Sequence, residues 1–372
     1  MKLKEFARES KEIFVGDKKN IPIVGLEHLN SNELLFSNYD LNTENTFTKR
    51  FTKGQVLFGR RRAYLKKAAF AEFDGICSGD ITVIEAIPGK VLAELLPFII
   101  QNDKLFDFAI SRSAGGLSPR VKWKDLAEFE FDLPPLKEQK KLADKLWAAY
   151  RLKESYKKLL ASMDELAKSR FIEMFGRCSE DKFGWGLKTL EDCCVINPQK
   201  TTDSRLKPGL EVSFCPMPYI SEKGEIKTDD IIIYDKVKSG FTYFAENDVL
   251  FAKITPCMEN GKGAIARNLK NGIGFGSTEF HVLRPKKEMI TPEWLYFLTT
   301  FQQFRKDAEN NMTGSAGQRR VPANFLKKYR VSVPPQSLQY EFARILQQLD
   351  KSKLELQKSI AAIDNVIKSL IN

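Results

Sequence analysis

Leu133-Pro134-Pro135-Leu136-Lys137-Glu138-Gln139 is answered, 200 residues later, by Val333-Pro334-Pro335-Gln336-Ser337-Leu338-Gln339. Over the thirteen positions from Pro134, five are identical to the residue 200 further on: both prolines, Gln139/Gln339, Ala143/Ala343 and Leu146/Leu346. Chance gives about one at ordinary residue frequencies. A solenoid unit repeats every roughly 20–50 residues, so this longer period marks a duplicated domain together with its tail. Two similar working surfaces are the expectation.

The repeat extends upstream. Ser113-Ala114-Gly115 pairs with Ser315-Ala316-Gly317, two extra residues in the first copy restoring the offset by Val121 and Val321, and Leu126 matches Leu326. Further back, Gln55-Val56-Leu57-Phe58 pairs with Asp248-Val249-Leu250-Phe251, and Ser78-Gly79-Asp80-Ile81-Thr82-Val83 with Ser277-Thr278-Glu279-Phe280-His281-Val282. The stretches between these islands differ. One frame carrying two different faces implies two sites that read different things.

The Pro-Pro pairs set the organisation. Adjacent prolines end a strand, because they remove ladder donors and hold the preceding residue extended. Strands are expected at Val56–Phe58, Ile81–Ile84, Val249–Phe251, Ile231–Tyr234, Phe129–Leu133 and Tyr329–Val333, from β-branched and aromatic content. An amphipathic helix is expected around Val91–Phe108 and another at Pro292–Asp307. After each Pro-Pro, 138–175 and 338–371 contain neither proline nor glycine, a pattern for long helices. Apolar heptads run through Ala149, Leu152, Tyr156, Leu159, Met163 and Leu166, and through Ile345, Leu349, Leu356, Ile363, Val366 and Leu370, which argues for a coiled-coil seam. A second apolar row (Leu160, Ala167, Phe171; Ile360, Ile367) leaves a face for other partners. Gly176 and Phe183-Gly184-Trp185-Gly186 start the second copy. The predicted fold is α+β: a globular domain over 1–134, a long helix over 135–176, a second domain over 177–334 and a second helix over 335–372.

The 372 residues suffice for two domains with their own cores. The net charge of +11 is unevenly spread but forms no charged tail, a balance compatible with nucleic acid. The opening residues run straight into charge, unlike a signal peptide, and no apolar run approaches the ~20 residues of a membrane span. Six cysteines (Cys77, Cys178, Cys193, Cys194, Cys215, Cys257) lack C-x-x-C spacing and fit reduced thiols in a cytoplasmic protein. With only His28 and His281, no metal site is expected.

No phosphate-binding P-loop or nucleophile-elbow motif is present. Asn197-Pro198-Gln199-Lys200 lacks the second proline and the aromatic of an amino-methyltransferase signature, so no catalytic residue is assigned. What stands out is basic and aromatic: Arg60, Arg61, Arg62, Tyr64 and Lys66 after one strand, and Lys253 and Lys262 around the equivalent loop. Arg120 and Lys122 follow the first Ser-Ala-Gly turn, and Gln318, Arg319 and Arg320 the second. Arginine suits both phosphate and guanine, and small residues let a backbone approach a ligand. These are the candidate DNA-binding residues. The blander reading of each cluster is a solvated surface run.

Taken together, the duplicated boundaries, the Ser-Ala-Gly loops, the Ser78-Gly79-Asp80 and Ser277-Thr278-Glu279 strand motifs and the two heptad helices resemble the specificity subunit of type I restriction–modification enzymes. The resemblance covers nearly the whole chain. It implies two target recognition domains, each reading half of a split double-stranded DNA site, held apart by an antiparallel pair of helices. It implies methyltransferase (modification) subunits, two of them, and restriction/translocase subunits as partners. S-adenosylmethionine, ATP and Mg would belong to those partners, with no cofactor in this chain. The rival readings are a coiled-coil scaffold or adaptor with incidental basic charge, and an enzyme whose site follows no known motif.

Overall fold

The computed structural model describes residues 1–177, 180–315 and 317–371; Cys178 and Ala316, both singled out above, lie outside the described residues. Two compact units emerge, 1–159 with 356–372, and 160–355. Each takes in one globular domain and parts of both long helices.

Both domains are built on one four-stranded antiparallel sheet. In the first it runs Ala7–Glu9, Ile81–Ala86, Val56–Gly59, Ala68–Phe70. In the second it runs Cys194–Ile196, Phe280–Pro285, Val249–Ala252, Gly263–Ile265. The central strands are buried residue after residue, which is why they read as continuous apolar runs rather than alternating ones. A mixed sheet adjoins each, three-stranded in the first domain and four-stranded, with Ile231–Ile233 at its edge, in the second. Ile23–Val24 pairs parallel with Gly75–Cys77, itself antiparallel to Lys49–Phe51. In the second copy Glu211–Cys215 pairs parallel with Ile273–Gly276, itself antiparallel to Thr242–Ala245. Gly75 sits opposite Phe51 and Gly274 opposite Phe244. A side chain at either glycine would run into that ring, so the aromatic covers the bare backbone across the ladder.

Several expected elements change. The single helix at 91–108 is two, Leu96–Ile100 and Asp103–Ser111, because the Asn102 side chain caps the second by accepting from Lys104 N at 2.8 Å. The helix at 292–307 likewise splits into Pro292–Thr300 and Gln302–Asn310 at Phe301, which is extended. Phe129–Leu133 is not a strand; it makes one bridge, Lys2 to Glu130, whereas Arg330–Ser332 pairs over three residues with Leu187–Thr189. The strand at Ile231 ends at Ile233, and Tyr234 opens a 3-10 turn.

The long helices run over Leu136–Phe175 and Gln336–Ile371. Each starts in a lock that explains the Pro-Pro-x-x-x-Gln spacing. Gln139 accepts from Leu92 N at 2.9 Å and donates to the carbonyls of Lys90 (3.1 Å) and Pro134 (2.9 Å). Gln339 accepts from Thr291 N at 2.8 Å and donates to Met289 O (2.9 Å) and Pro334 O (2.8 Å). Both glutamines are buried, at 1% and 0% exposure, and each carboxamide satisfies three main-chain groups.

The helices pair antiparallel within each unit. In the second, Asp164 meets Lys353 at 2.6 Å, and Phe175 packs on Phe342. Eleven residues forward on one helix are eleven back on the other, so paired residue numbers sum to 517. In the first unit Lys153 meets Asp364 at 2.7 Å, on the same sum. The buried stripe runs through Ala143, Leu146, Tyr150, Ala167, Phe171 and Phe175, one residue out of phase with the expected seam. Leu152, Leu159 and Leu166 are about half exposed (45%, 44%, 46%), as is Val366 at 51%, and these four are not seam residues. Ala149, Tyr156 and Met163 flank the stripe, half buried, as does Ile345. Leu349, Leu356, Ile363 and Leu370 are half buried along the paired side of the second helix. Of the row taken above as a second face, Ala167 and Phe171 belong to the buried stripe, and Leu160, Ile360 and Ile367 are half buried.

Candidate nucleic-acid interface

Each domain brings three loops together at one end of its main sheet: the hairpin loop after the second central strand, the Ser-x-acid turn, and the glycine loop before the last short helix. In the first domain Arg60 N donates to Asp80 O, Val121 N to Arg60 O, and Arg62 N to Pro119 O, at 2.8–3.0 Å. In the second, Lys253 N donates to Glu279 O, Val321 N to Lys253 O, and Thr255 N to Arg319 O, at 2.9–3.0 Å. The same three bonds knit both copies.

This superposition corrects the pairing of the glycine loops. Arg120 bridges to Ala114, and Arg320 to Thr313, so Gly115 corresponds to Gly314, with φ of +117° and +116°. That region favours glycine. The second loop, not the first, is longer, by one residue between this glycine and the arginine. The two Ser-Ala-Gly triplets are not equivalent.

An acidic residue organises the basic ones in each copy. Arg120 Nε donates to Asp80 Oδ1 at 2.7 Å, and Arg61 Nη1 lies 3.3 Å from Oδ2. Arg120 first, with Arg61, holds the Asp80 carboxyl below its ordinary range. Arg320 grips Glu279 with two parallel bonds of 2.9 Å, the fork geometry that suits a carboxylate, and lowers that carboxyl too. Asp80 and Glu279 escaped the search for basic and aromatic side chains. The repeated Ser-x-acid turn was their signal.

The other candidates fall around these clamps. Arg61 Nη2 donates to Ser118 Oγ at 3.1 Å. Arg60 is half buried, and its Nε has no partner among the described residues. Arg62 is exposed, in left-handed backbone at φ +55°, with a long 3.5 Å bond to Ser118 Oγ. Tyr64 is 53% exposed. Lys66, also left-handed, turns back to Asp103 at 2.6 Å. Lys122 is exposed at the start of the short helix Trp123–Leu126. In the second domain Lys253 is half buried beside Glu279 and Arg320, and burial pushes its pKa down. Lys262 closes the far end of the hairpin loop, its N–H donating to Cys257 O at 3.0 Å. Gln318 is exposed, and Arg319 donates to Glu309 O at 2.9 Å. The structure thus gathers Arg60, Arg61, Arg62 and Arg120 in one place and Lys253, Gln318, Arg319 and Arg320 in another. Tyr64, Lys66, Lys122 and Lys262 lie at the edges.

The arrangement can bind an anion and can present side chains from a rigid rim. Among the described residues no group of three His, Cys, Asp or Glu is placed to hold a metal, and no helix is long and apolar enough to cross a membrane. The cysteines Cys77, Cys193, Cys194 and Cys215 are buried; burial pushes the thiols of Cys77, Cys194 and Cys215 up to about 12 and that of Cys193 to about 11, far from the range of a nucleophilic thiolate.

The family model for the type I restriction modification DNA specificity domain matches residues 3–162 and 183–364. The chain belongs to this family. Two matched stretches mean one specificity domain per copy, each followed into its long helix. Among relatives, the chain is 34% identical over 233 residues to the type I restriction enzyme EcoEI specificity subunit of Escherichia coli, covering 59% of this chain and 39% of that one. It is 37% identical over 193 residues to the EcoAI specificity subunit of Escherichia coli, covering 50% and 32%. The matches thus span well under half the length of these two relatives. The S subunit of a type I restriction–modification system from M. genitalium has a solved structure similar to this one, with a TM-score of 0.55 at 12% identity over 100% of this chain and 95% of that chain. That likeness bears on the fold alone.

Proposed function

We propose that this chain is the DNA sequence-specificity subunit of a type I restriction–modification complex. It binds a bipartite double-stranded site, one half per domain, and positions methyltransferase (modification) subunits, two of them, together with restriction/translocase subunits. It performs no chemistry itself. S-adenosylmethionine, ATP and Mg act in the partners, and the complex works in the cytoplasm.

The observation that carries this reading is the conserved frame beneath two different rims. Both domains keep the three knitting bonds, the acid–arginine clamp and the left-handed glycine, while the residues presented around them differ. A frame of that kind sets backbone register, and the variable side chains read base edges. Clamped Arg61, Arg120 and Arg320 shape the rim. Arg62, Tyr64, Lys122, Gln318 and Arg319 make the outward contacts. The exposed Leu152, Leu159 and Leu166, off the buried stripe, suit a partner surface.

Co-expression of the chain with the neighbouring gene products, followed by co-purification and genomic methylation mapping, tests this. A single split motif that disappears when the chain is deleted is expected. Stable partner binding without any sequence-dependent methylation would instead make the chain a scaffold.

A further inference from the structure

One buried cation has no part in the frame shared by the two domains. Arg305 lies in the helix Gln302–Asn310 and is 7% exposed. Its Nε donates to Thr299 O at 2.5 Å, Nη1 to Met258 O at 2.8 Å and Nη2 to Gly261 O at 3.2 Å. Its guanidinium sits 4.6 Å over the Phe251 ring. No carboxylate lies within ion-pair distance among the described residues, and burial pushes its pKa down to about 10. The site still keeps arginine charged at neutral pH, compensated by main-chain carbonyls and an aromatic face.

The first domain has no such group. The equivalent position is Phe106, stacked at 5.6 Å and 22° on Phe58, the counterpart of Phe251. A buried charge where a sister domain has a ring is costly unless it organises something. Two of its three acceptors, Met258 and Gly261, are in the hairpin loop between Val249–Ala252 and Gly263–Ile265. That loop also donates Thr255 N to Arg319 O, on the glycine loop.

We infer that Arg305 is a positioning residue that fixes the 253–262 loop as a DNA-reading element of the second domain, a role the first domain has no counterpart for. This rests on the specificity reading above. Arg305 touches no DNA. It holds the carbonyls that define the loop's path, and the loop presents Lys253, Thr255, Glu259 and Lys262.

The test uses the full chain co-expressed with its methyltransferase subunits, in a C178S background. Of the remaining cysteines, Cys257 alone is not buried, and it lies in this loop, so its alkylation by N-ethylmaleimide reports loop order. R305F installs the first domain's residue; R305K keeps the charge but not the planar three-way reach. R305F should raise Cys257 alkylation several-fold and relax base preference in the second half-site about tenfold, with the first half-site unchanged. R305K should do the same to a smaller degree. In the unsubstituted complex, a duplex carrying the mapped site should slow Cys257 alkylation. Faster alkylation with both half-sites intact would show that the loop does not read DNA and overturn the inference. So would unchanged alkylation, absence of protection by the duplex, or loss of both half-sites in both variants. If the unsubstituted complex methylates no defined motif, the specificity reading itself fails, independently of Arg305.

Discussion

Gln339 and Thr291 are locked together by a 2.8 Å bond from the Thr291 N–H to the Gln339 side-chain oxygen, with no exposure at Gln339. Thr291 also caps the helix Pro292–Thr300 through its hydroxyl, so one carboxamide joins the start of a long helix to the start of a core helix. Gln339→Leu leaves that N–H and the Met289 and Pro334 carbonyls unpaired. An unmade buried bond costs about 1–3 kcal/mol. Urea denaturation followed by tryptophan fluorescence should show that loss, and Q139L a comparable one in the first unit. A midpoint unchanged by either substitution would reduce the lock to a packing contact.

His281 gives the second unit a pH dependence. Its Nε2 faces Val321 O at 2.7 Å, and Nδ1 lies 3.0 Å from Asn197 Nδ2, the pattern of a neutral ring donating at Nε2. Burial pushes its pKa down, the hydrogen bond to Val321 O opposes, and Lys253 adds to the lowering. The unfolded chain therefore takes up a proton, near pH 6.5, that the folded chain refuses. Its contribution is fully present above that pH and is lost as pH falls below it towards the lower folded-state value. Denaturation midpoints measured from pH 7.5 to 5 should decline, and more steeply than in H281Q.

The clamps divide the arginines of the first domain into two classes. Arg62 has no carboxylate partner among the described residues and stands on the rim, whereas Arg120 and Arg61 are held by Asp80. R62A should weaken DNA binding evenly across sequences and flatten the log–log salt dependence by about one unit. D80N should instead change base preference, because it releases the loop geometry while removing no positive charge. Binding isotherms at several salt concentrations separate the two. An R62A slope equal to that of the parent chain would remove Arg62 from the phosphate contacts.

If the helix pair spaces the two half-sites, its register, with paired residue numbers summing to 517 within each unit, fixes where it can be lengthened in phase. Seven residues inserted after Leu159 and seven after Gln357 keep the pairing in phase and lengthen it by about 10 Å. That corresponds to roughly three base pairs at 3.4 Å each. Methylation mapping should return the same half-sites with a longer spacer. The insertion in one helix only should disrupt both pairing and methylation.

A charge on the exposed row should leave the chain folded and isolate it. Leu159 is nearly half exposed and outside the buried stripe, so L159E is expected to shift stability by no more than about 0.5 kcal/mol. Loss of co-purifying methyltransferase is the expected result. Retained partner binding would place the docking surface elsewhere.

The duplication was legible because its signals are local: the prolines directly precede a long helix in each copy, and the glutamine five residues on from the first of them answers a fixed set of main-chain groups. The strands at Val56, Ile81 and Val249 were legible for the same reason, being nearly unbroken apolar runs, whereas the short strands of the adjoining sheets carried no such run and Phe129–Leu133, apolar at alternate positions, makes only one bridge. The helix seam was misplaced by one residue because charged residues occupy the paired side. Lys153 and Asp164 meet Asp364 and Lys353 there, and Lys157 reaches Glu33. The apolar heptad pointed to Leu152, Leu159 and Leu166 instead. The glycine loops were mispaired because two identical triplets happened to lie near an insertion, and only the bridges from Arg120 and Arg320 reveal the true match. Asp80 and Glu279 were signalled only by the repeated Ser-x-acid turn, whereas Arg305 acts through contacts to Met258 and Gly261 that no spacing announces.

The Asn102 side chain donates to Ile371 O at 3.0 Å, across 269 residues of chain. Ile371 is buried in the first unit's core, with Ile367 and Leu370 against it. During synthesis the first domain therefore emerges early but stays unfinished until these residues leave the ribosome. The second unit, drawn from 160–355, has all its parts sooner. The usual order, in which the domain made first folds first, is reversed at the closing step. For that interval the apolar side chains that Ile367, Leu370 and Ile371 cover in the first unit's core have no cover from them.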